Sequence, residues 1–269
     1  MKTRVISTAI LLPIVLLVIV VGAWALGLLI TVIVFIAGME YAQLLKQRGY
    51  RLSLFWIWGM ILLWIMDVYW TERLLHLGLP LLTLSAAAWE VFRTQGKLET
   101  PIENWALTLA GGLYLGMGGS YLLRLRAQPD GLWWLLTALF IVWVGDSAAY
   151  LVGRRWGSHK MTPQISPNKT WEGYAGELVF GVGTGILLAY VWPLVAGAPL
   201  SLTGAVGAAL GLLLAALVPL GDFFVSLIKR EVGAKDTGQL IPGHGGVLDR
   251  LDSPIWAGFL TWLFVNLIN

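Results

Sequence analysis

The sequence predicts an all-α, polytopic integral membrane protein with about nine transmembrane helices and a cytoplasmic N-terminus. Three observations predict it. Of the 269 residues, 58% are hydrophobic and only 12% are charged, against about 25% charged in an ordinary soluble domain. Apolar runs recur along the whole chain, so neither a single anchor nor a large soluble core explains the deficit of charge. With sides alternating from one run to the next, the basic residues between those runs fall overwhelmingly on one side.

A bilayer span takes about 20 apolar residues. The candidate spans are 5–22, 24–45, 52–70, 74–92, 104–123, 131–153, 173–195, 203–228 and the shorter 254–268. The first follows Met1-Lys2-Thr3-Arg4 and precedes Ala23-Trp24-Ala25, the pattern of a signal peptide with its cleavage site. Its apolar run exceeds the signal core of about 7–15 residues, so it is expected to remain as a helix. Almost nothing separates it from the second span, which predicts a tight hairpin or one interrupted pair. Three regions result: N-terminal helices over 1–103, a middle helix pair over 104–153, and C-terminal helices with polar loops, expected to be catalytic, over 154–269.

With the N-terminus in the cytoplasm and sides alternating, the cytoplasmic segments hold Lys2, Arg4, Lys46, Arg48, Arg51, Arg93, Lys97, Arg154, Arg155, Lys160, Lys169, Lys229, Arg230, Lys235 and Arg250. The opposite side holds only Arg73, Arg124 and Arg126. This is the positive-inside pattern, and it supports an odd number of spans. It also accounts for the net charge of +3 without a nucleic-acid partner. Several of the 15 tryptophans stand near span ends (Trp24, Trp70, Trp105, Trp192, Trp256), as in an interfacial belt. Trp56, Trp58, Trp64, Trp133 and Trp134 sit less clearly at interfaces. Cysteine is absent, which excludes disulfides and thiolate metal sites.

Glycine-rich stretches at Gly111–Gly116 and Gly181–Gly185 lie inside spans. Small residues there let helix backbones approach closely. A nucleotide-binding glycine loop needs a preceding strand, and none is predicted. No internal repeat supports an inverted-repeat transporter.

Charged residues inside spans are costly and mark function. Asp146 precedes Arg154-Arg155 by eight residues, Asp222 precedes Lys229-Arg230 by seven, and Glu177 follows Lys169 by eight. At 1.5 Å per residue, Asp146 and Asp222 lie roughly 10–12 Å below the basic fringe, with Glu177 as deep or shallower. The three carboxylates predict a polar cavity open to the cytoplasm. On the eighth span, Asp222, Ser226 and Lys229-Arg230 recur at helical spacing and share one stripe.

The loop from Glu231 to Asp252 combines Gly233, Gly238, Gly243, Gly245 and Gly246 with Lys235, Asp236, His244, Asp249 and Arg250. Glycine allows close backbone approach to a ligand. Asp222, Asp236, Asp249 and Asp252 are hard oxygen donors suited to Mg²⁺, and Lys229, Arg230, Lys235 and Arg250 can neutralise phosphate oxygens. This is the equipment of a transfer at phosphorus. His244 serves either as a donor to phosphate or as a hydrogen bond within a tight turn. An earlier loop, Ser166-Pro-Asn-Lys169-Thr170-Trp-Glu-Gly173, precedes the seventh span. Ser166, Lys169 and Thr170 can bind phosphate with the free N–H groups of that helix start; a capping motif explains the same residues equally well. A transporter lined by Asp146, Glu177 and Asp222 is the other class, but the far halves of the last four helices are largely apolar.

The run Ser226-Leu-Ile-Lys229-Arg230, Lys235-Asp236-Thr-Gly238 and Ile241-Pro-Gly-His244-Gly245-Gly246-Val-Leu-Asp249-Arg250-Leu-Asp252 closely resembles the signature of the phosphatidate cytidylyltransferase family, also called CDP-diacylglycerol synthases. Asp146-Ser-Ala-Ala-Tyr150 with Gly153-Arg154, and the Ser166–Gly173 run, resemble the same family. The resemblance is strongest from about residue 141 onward; the N-terminal helices match only in being hydrophobic.

The resemblance implies CTP and phosphatidic acid as partners, CDP-diacylglycerol and pyrophosphate as products, and a bacterial inner membrane as the location. It implies Mg²⁺ on Asp222 and Asp249, with Asp146 as a further candidate ligand and K⁺ beside the metal. Lys229, Arg230, Lys235 and Asp236 join the catalytic set. Ser166, Lys169, Thr170, Ser226, His244, Gly245, Gly246 and Arg250 are the substrate-binding candidates. Surrounding membrane lipids and a second copy of the chain complete the expected partners. The alternative left open is an Mg²⁺-dependent nucleotidyl or phosphoryl transferase acting on another membrane lipid phosphate.

Overall fold

The computed structural model describes residues 2–70, 73–94, 100–240 and 245–268. It is almost wholly helical: α1 (Lys2–Val21), α2 (Ala23–Lys46), α3 (Leu54–Tyr69), α4 (Arg73–Arg93), α5 (Pro101–Arg126), α6 (Gly131–Trp156), α7 (Trp171–Ala196), α8 (Gly204–Leu217), α9 (Pro219–Glu231) and α10 (Leu248–Ile268). A hairpin of β1 (Lys160–Thr162) and β2 (Ser166–Thr170) stands between α6 and α7. Among the described residues, seven helices are long and apolar enough to cross a membrane, with α8 and α9 counted together as Gly204–Glu231; Leu11–Val21 and Leu54–Tyr69 are shorter apolar helices. The all-α, multi-pass class follows from the sequence as expected.

Two boundaries differ from the sequence reading. The single span expected over 203–228 becomes two helices, because Pro219 has no N–H to continue the ladder of α8. Pro219 instead opens α9, where its fixed φ suits a first helical position. The last helix begins at Leu248 rather than 254, so Asp249, Arg250 and Asp252 belong to its first turns and not to a loop. At the first span boundary one residue suffices: Gly22, at φ 69°, ends α1 and precedes α2.

The chain forms two compact units. The first comprises residues 1–123 and 229–251; the second comprises 124–228 and 252–269. In the first, Met60, Ala86 and Leu109 form a buried core against which Trp56, Leu82 and Trp105 pack. Tyr41 donates its hydroxyl to the Leu107 carbonyl, and a Cβ on Gly111 would collide with the Tyr41 ring, so the glycine is what lets α2 and α5 meet.

In the second unit, α7 and α8 pack through glycine. A Cβ on Gly185 would strike the Gly207 carbonyl, one on Gly207 the Gly185 carbonyl, and one on Gly211 the Gly181 carbonyl. The backbones are in direct contact, the use of small residues anticipated for Gly181–Gly185. Trp134, ambiguous by sequence, is a fully buried core residue here, with 1% of its surface exposed. Asp130 starts α6 and accepts from both the N–H and the hydroxyl of Ser201, which fixes the chain before α8.

Gly207→Val should separate α7 from α8 and cost about 1–3 kcal/mol, the usual penalty of overpacking. Gly183→Ala, where a Cβ meets nothing within 4 Å, should be neutral. Thermal unfolding of the two purified variants in detergent checks the contrast.

Candidate active site

In the second unit, three helices and the hairpin gather the polar residues expected to converge. β2 ends at Thr170, which is 3% exposed and caps α7 by accepting from the Gly173 N–H at 3.2 Å. The capping reading of this segment is therefore met, and Thr170 faces inward. Below it the hairpin is closed by the Trp171 N–H donating to the His159 carbonyl. His159 also holds Glu172, with Nδ1 2.6 Å from Oε1. This arrangement presents Lys169, whose Nζ lies 2.7 Å from Asp222 Oδ2 on α9 and 4.5 Å from the centre of the Phe223 ring. The other oxygen of Asp222 accepts from Ser226 Oγ at 3.3 Å, one helical turn on, as their spacing predicted. Ser166 lies half-buried in β2 opposite Thr162.

Glu177 on α7 is buried, packed where Gly145 of α6 leaves room for its Cγ, and it feels the charges of Asp146, Lys169 and Asp222. Asp146 itself is exposed. Glu177 therefore shares its surroundings with Asp146, Lys169 and Asp222, and Lys169 is the cation paired with Asp222.

The first unit holds the rest of the signature. Lys229, at the end of α9, donates to Asp249 Oδ1 at 2.7 Å; their side chains are only 12% and 7% exposed. Asp249 Oδ2 accepts from the Thr237 N–H at 2.9 Å, the Thr237 hydroxyl at 3.0 Å and the Gly246 N–H at 3.1 Å. One carboxylate therefore ties together both ends and the middle of the loop between α9 and α10. Gly245 adopts φ +82°, a conformation that favours glycine, and a Cβ there would lie 2.9 Å from Asp249 Oδ2.

Around this knot, Lys235, Asp236 and Arg250 are exposed, and Arg230 donates to the Ala234 carbonyl. Asp252 is buried in the second turn of α10, where its carbonyl lies against Gly221. His244 lies outside the described residues.

The sequence reading passes over two residues of this knot. Thr237 stands inside the signature but carries no charge. Glu40 on α2 is 6% exposed and accepts from the Val247 and Leu248 N–H groups at 3.0 and 2.9 Å and from the Thr237 hydroxyl at 3.2 Å. The rule that singles out Asp146, Glu177 and Asp222, a carboxylate within an apolar span, applies equally to Glu40.

Among the described residues no group of three or more His, Asp or Glu is arranged to hold a metal ion. Mg²⁺ does not demand one, because it is commonly held by one or two carboxylates completed by water and substrate phosphates. Asp222 and Asp249 supply hard oxygens of that kind, each beside a lysine able to meet a polyanion.

Fold and site together define a multi-pass membrane enzyme whose polar residues are organised as lysine–carboxylate pairs. Comparison with known proteins then places it: residues 2–268 match the cytidylyltransferase family, and the chain belongs to that family. It is 30% identical over 250 residues to the phosphatidate cytidylyltransferase of Mycobacterium leprae (strain TN), covering 87% of this chain and 78% of that one. The phosphatidate cytidylyltransferase of Mycobacterium bovis (strain ATCC BAA-935 / AF2122/97) is 30% identical over 252 residues, or 89% of this chain and 80% of that one. That of Brucella suis biovar 1 (strain 1330) is 41% identical over 160 residues, 58% of this chain and 55% of that one.

Asp249→Ala should destabilise the protein more than Lys229→Met. The first leaves a buried ammonium and the donors of Thr237 and Gly246 without an acceptor; the second leaves Asp249 with three donors still in place. Removing one partner of a buried pair costs about 3–5 kcal/mol when the other is left uncompensated. Unfolding temperatures in detergent should rank wild type, then Lys229→Met, then Asp249→Ala.

Proposed function

We propose that this protein transfers the cytidylyl group of CTP to phosphatidic acid, giving CDP-diacylglycerol and pyrophosphate, at the cytoplasmic face of a bacterial inner membrane. The observation that carries the reading is the family match over residues 2–268 in a chain whose signature residues build two lysine–carboxylate pairs. A phosphate oxygen of phosphatidic acid attacks the α-phosphorus of CTP. The new P–O bond forms as the bond to the bridging oxygen breaks, and pyrophosphate leaves with that electron pair. The phosphate monoester is already largely ionised near neutral pH, so no general base is required.

The chain's own task is to hold two polyanions together. Lys169, Lys229, Lys235, Arg230 and Arg250 offset the phosphate charge, and the developing charge on the leaving group is where fixed cations contribute most. Asp222 and Asp249, with Asp146 as a further candidate ligand, are the residues that would hold Mg²⁺, which would supply charge neutralisation at the phosphates. K⁺ beside it belongs to the same reading. Ser166, Thr170, Ser226, Gly245, Gly246 and His244 are assigned to the substrates, and Asp236 to the catalytic loop. The acyl chains of the lipid stay in the bilayer while its head group enters from the side. The positive-inside distribution of Lys and Arg supports that orientation.

Asp222→Asn and Asp249→Asn should each lower CDP-diacylglycerol formation by on the order of 10²–10³ or more, the scale of losing one electrostatic contact in a transfer reaction. Asp222→Asn keeps side-chain size and an acceptor oxygen and should remain folded and inserted; Asp249→Asn leaves the buried Lys229 ammonium without its counter-charge and should also unfold at a lower temperature, so turnover is compared on the folded fraction. The assay uses purified protein, CTP, phosphatidic acid and Mg²⁺; near wild-type turnover in either variant would remove that residue from the metal site. In the same assay UTP and a polyisoprenyl phosphate should fail to replace CTP and phosphatidic acid.

A further inference from the structure

Glu40 stands on α2, 197 residues before Thr237, yet its carboxylate is built into the signature loop. We infer that Glu40 is a positioning residue for the transfer reaction, acting through Thr237 and the first turn of α10 to hold Asp249 in its working orientation. The inference rests on the function proposed above.

The geometry gives three grounds. First, Oε1 accepts from the Val247 N–H at 3.0 Å and Oε2 from the Leu248 N–H at 2.9 Å. These are donors at the start of α10, which the helix itself cannot satisfy. A carboxylate there is also favoured by the helix dipole, and its presence fixes where Asp249 begins its turn.

Second, Thr237 Oγ1 is 3.2 Å from Glu40 Oε2 and 3.0 Å from Asp249 Oδ2. A hydroxyl has one proton, so the two carboxylates share it. When the proton points to Glu40, Asp249 keeps the N–H groups of Thr237 and Gly246 and has a lone pair released for a ligand.

Third, glycine makes the room. A Cβ on Gly238 would lie 2.5 Å from Glu40 Oε1, and one on Gly246 would collide with both Thr237 Oγ1 and Glu40 Oε2. A carboxylate seated on the start of α10 also leaves that helix end closed to phosphate, so the charges of the nucleotide fall to the Lys and Arg side chains.

The test uses the full chain in detergent with Glu40→Gln, Thr237→Val and the double variant. The comparison variant is Asp67→Asn, which alters another buried carboxylate that caps a backbone N–H, that of Leu75. Gln places an amide N–H against donors that need an acceptor. Glu40→Gln should lower kcat roughly 10–100-fold, the usual effect of losing a residue that orients a ligand. The KM for CTP should change far less, and trypsin cleavage after the exposed Lys235 should accelerate at a temperature well below the unfolding of either protein.

Thr237→Val should lower kcat likewise, and the double variant should fall by less than the product of the two. Wild-type kcat in a folded Glu40→Gln protein, or an equal loss in Asp67→Asn, overturns the inference. If Glu40→Gln does not fold, Thr237→Val decides: a lowered kcat supports the inference and a wild-type kcat overturns it. If the wild-type protein itself makes no CDP-diacylglycerol, the proposed function fails. The trypsin arm then decides whether Glu40 holds the loop, accelerated cleavage supporting it and unchanged cleavage overturning it.

Discussion

The carboxylate of Asp249 is the interaction on which the polar half of this protein depends. It receives an ammonium from the end of α9, two donors from Thr237 and one N–H from Gly246. Hydrogen bonds to a charged group contribute about 1.5–3 kcal/mol each, more than neutral ones. A loop rich in glycine is entropically costly to order, and here two anions, Asp249 and Glu40, share the donors of Thr237, Gly246, Val247 and Leu248. Glycine at 245 and 246 is the complement of that arrangement, since a side chain at either position would crowd the acceptor or its donors.

The same constraint repeats on the other side of the signature. A carboxylate that must sit near apolar helices is tolerable when a cation or several donors accompany it. Asp222 has Lys169 and Ser226, and the charge of Lys169 also acts on the buried Glu177. Lys229 and Lys169 thus balance Asp249 and Asp222 in the chain as it stands. This is how a chain with only 12% charged residues concentrates chemistry in a few segments.

Much of this was legible in the sequence. Length of apolar runs marked the all-α, multi-pass class, although among the described residues seven helices, not about nine, are long and apolar enough to cross a membrane; helical spacing gave the Asp222–Ser226 contact, because it depends only on local periodicity. The break at Pro219 is equally local, since it follows from a missing donor, yet apolarity alone runs 203–228 together as one span. The early start of α10 was not legible by apolarity, since its first turns carry Asp249, Arg250 and Asp252. What makes them helical is a set of donors and acceptors brought from elsewhere, with Glu40 among them. The β1–β2 hairpin escaped for a similar reason: its pairing joins residues whose side chains alternate without a hydrophobic pattern. The partnerships Lys169–Asp222 and Lys229–Asp249 span 53 and 20 positions, and no spacing rule reaches that far.

The central claim is that these pairs serve transfer of a nucleotidyl group to a lipid phosphate, not transfer of a terminal phosphate. Two parallel incubations of the purified protein with phosphatidic acid and Mg²⁺ decide it, one with CTP labelled at the α-phosphorus and one with CTP labelled at the γ-phosphorus. The account predicts that the α label enters the lipid fraction and the γ label appears in pyrophosphate. Lipid carrying the γ label, or no lipid labelled by either, would contradict it.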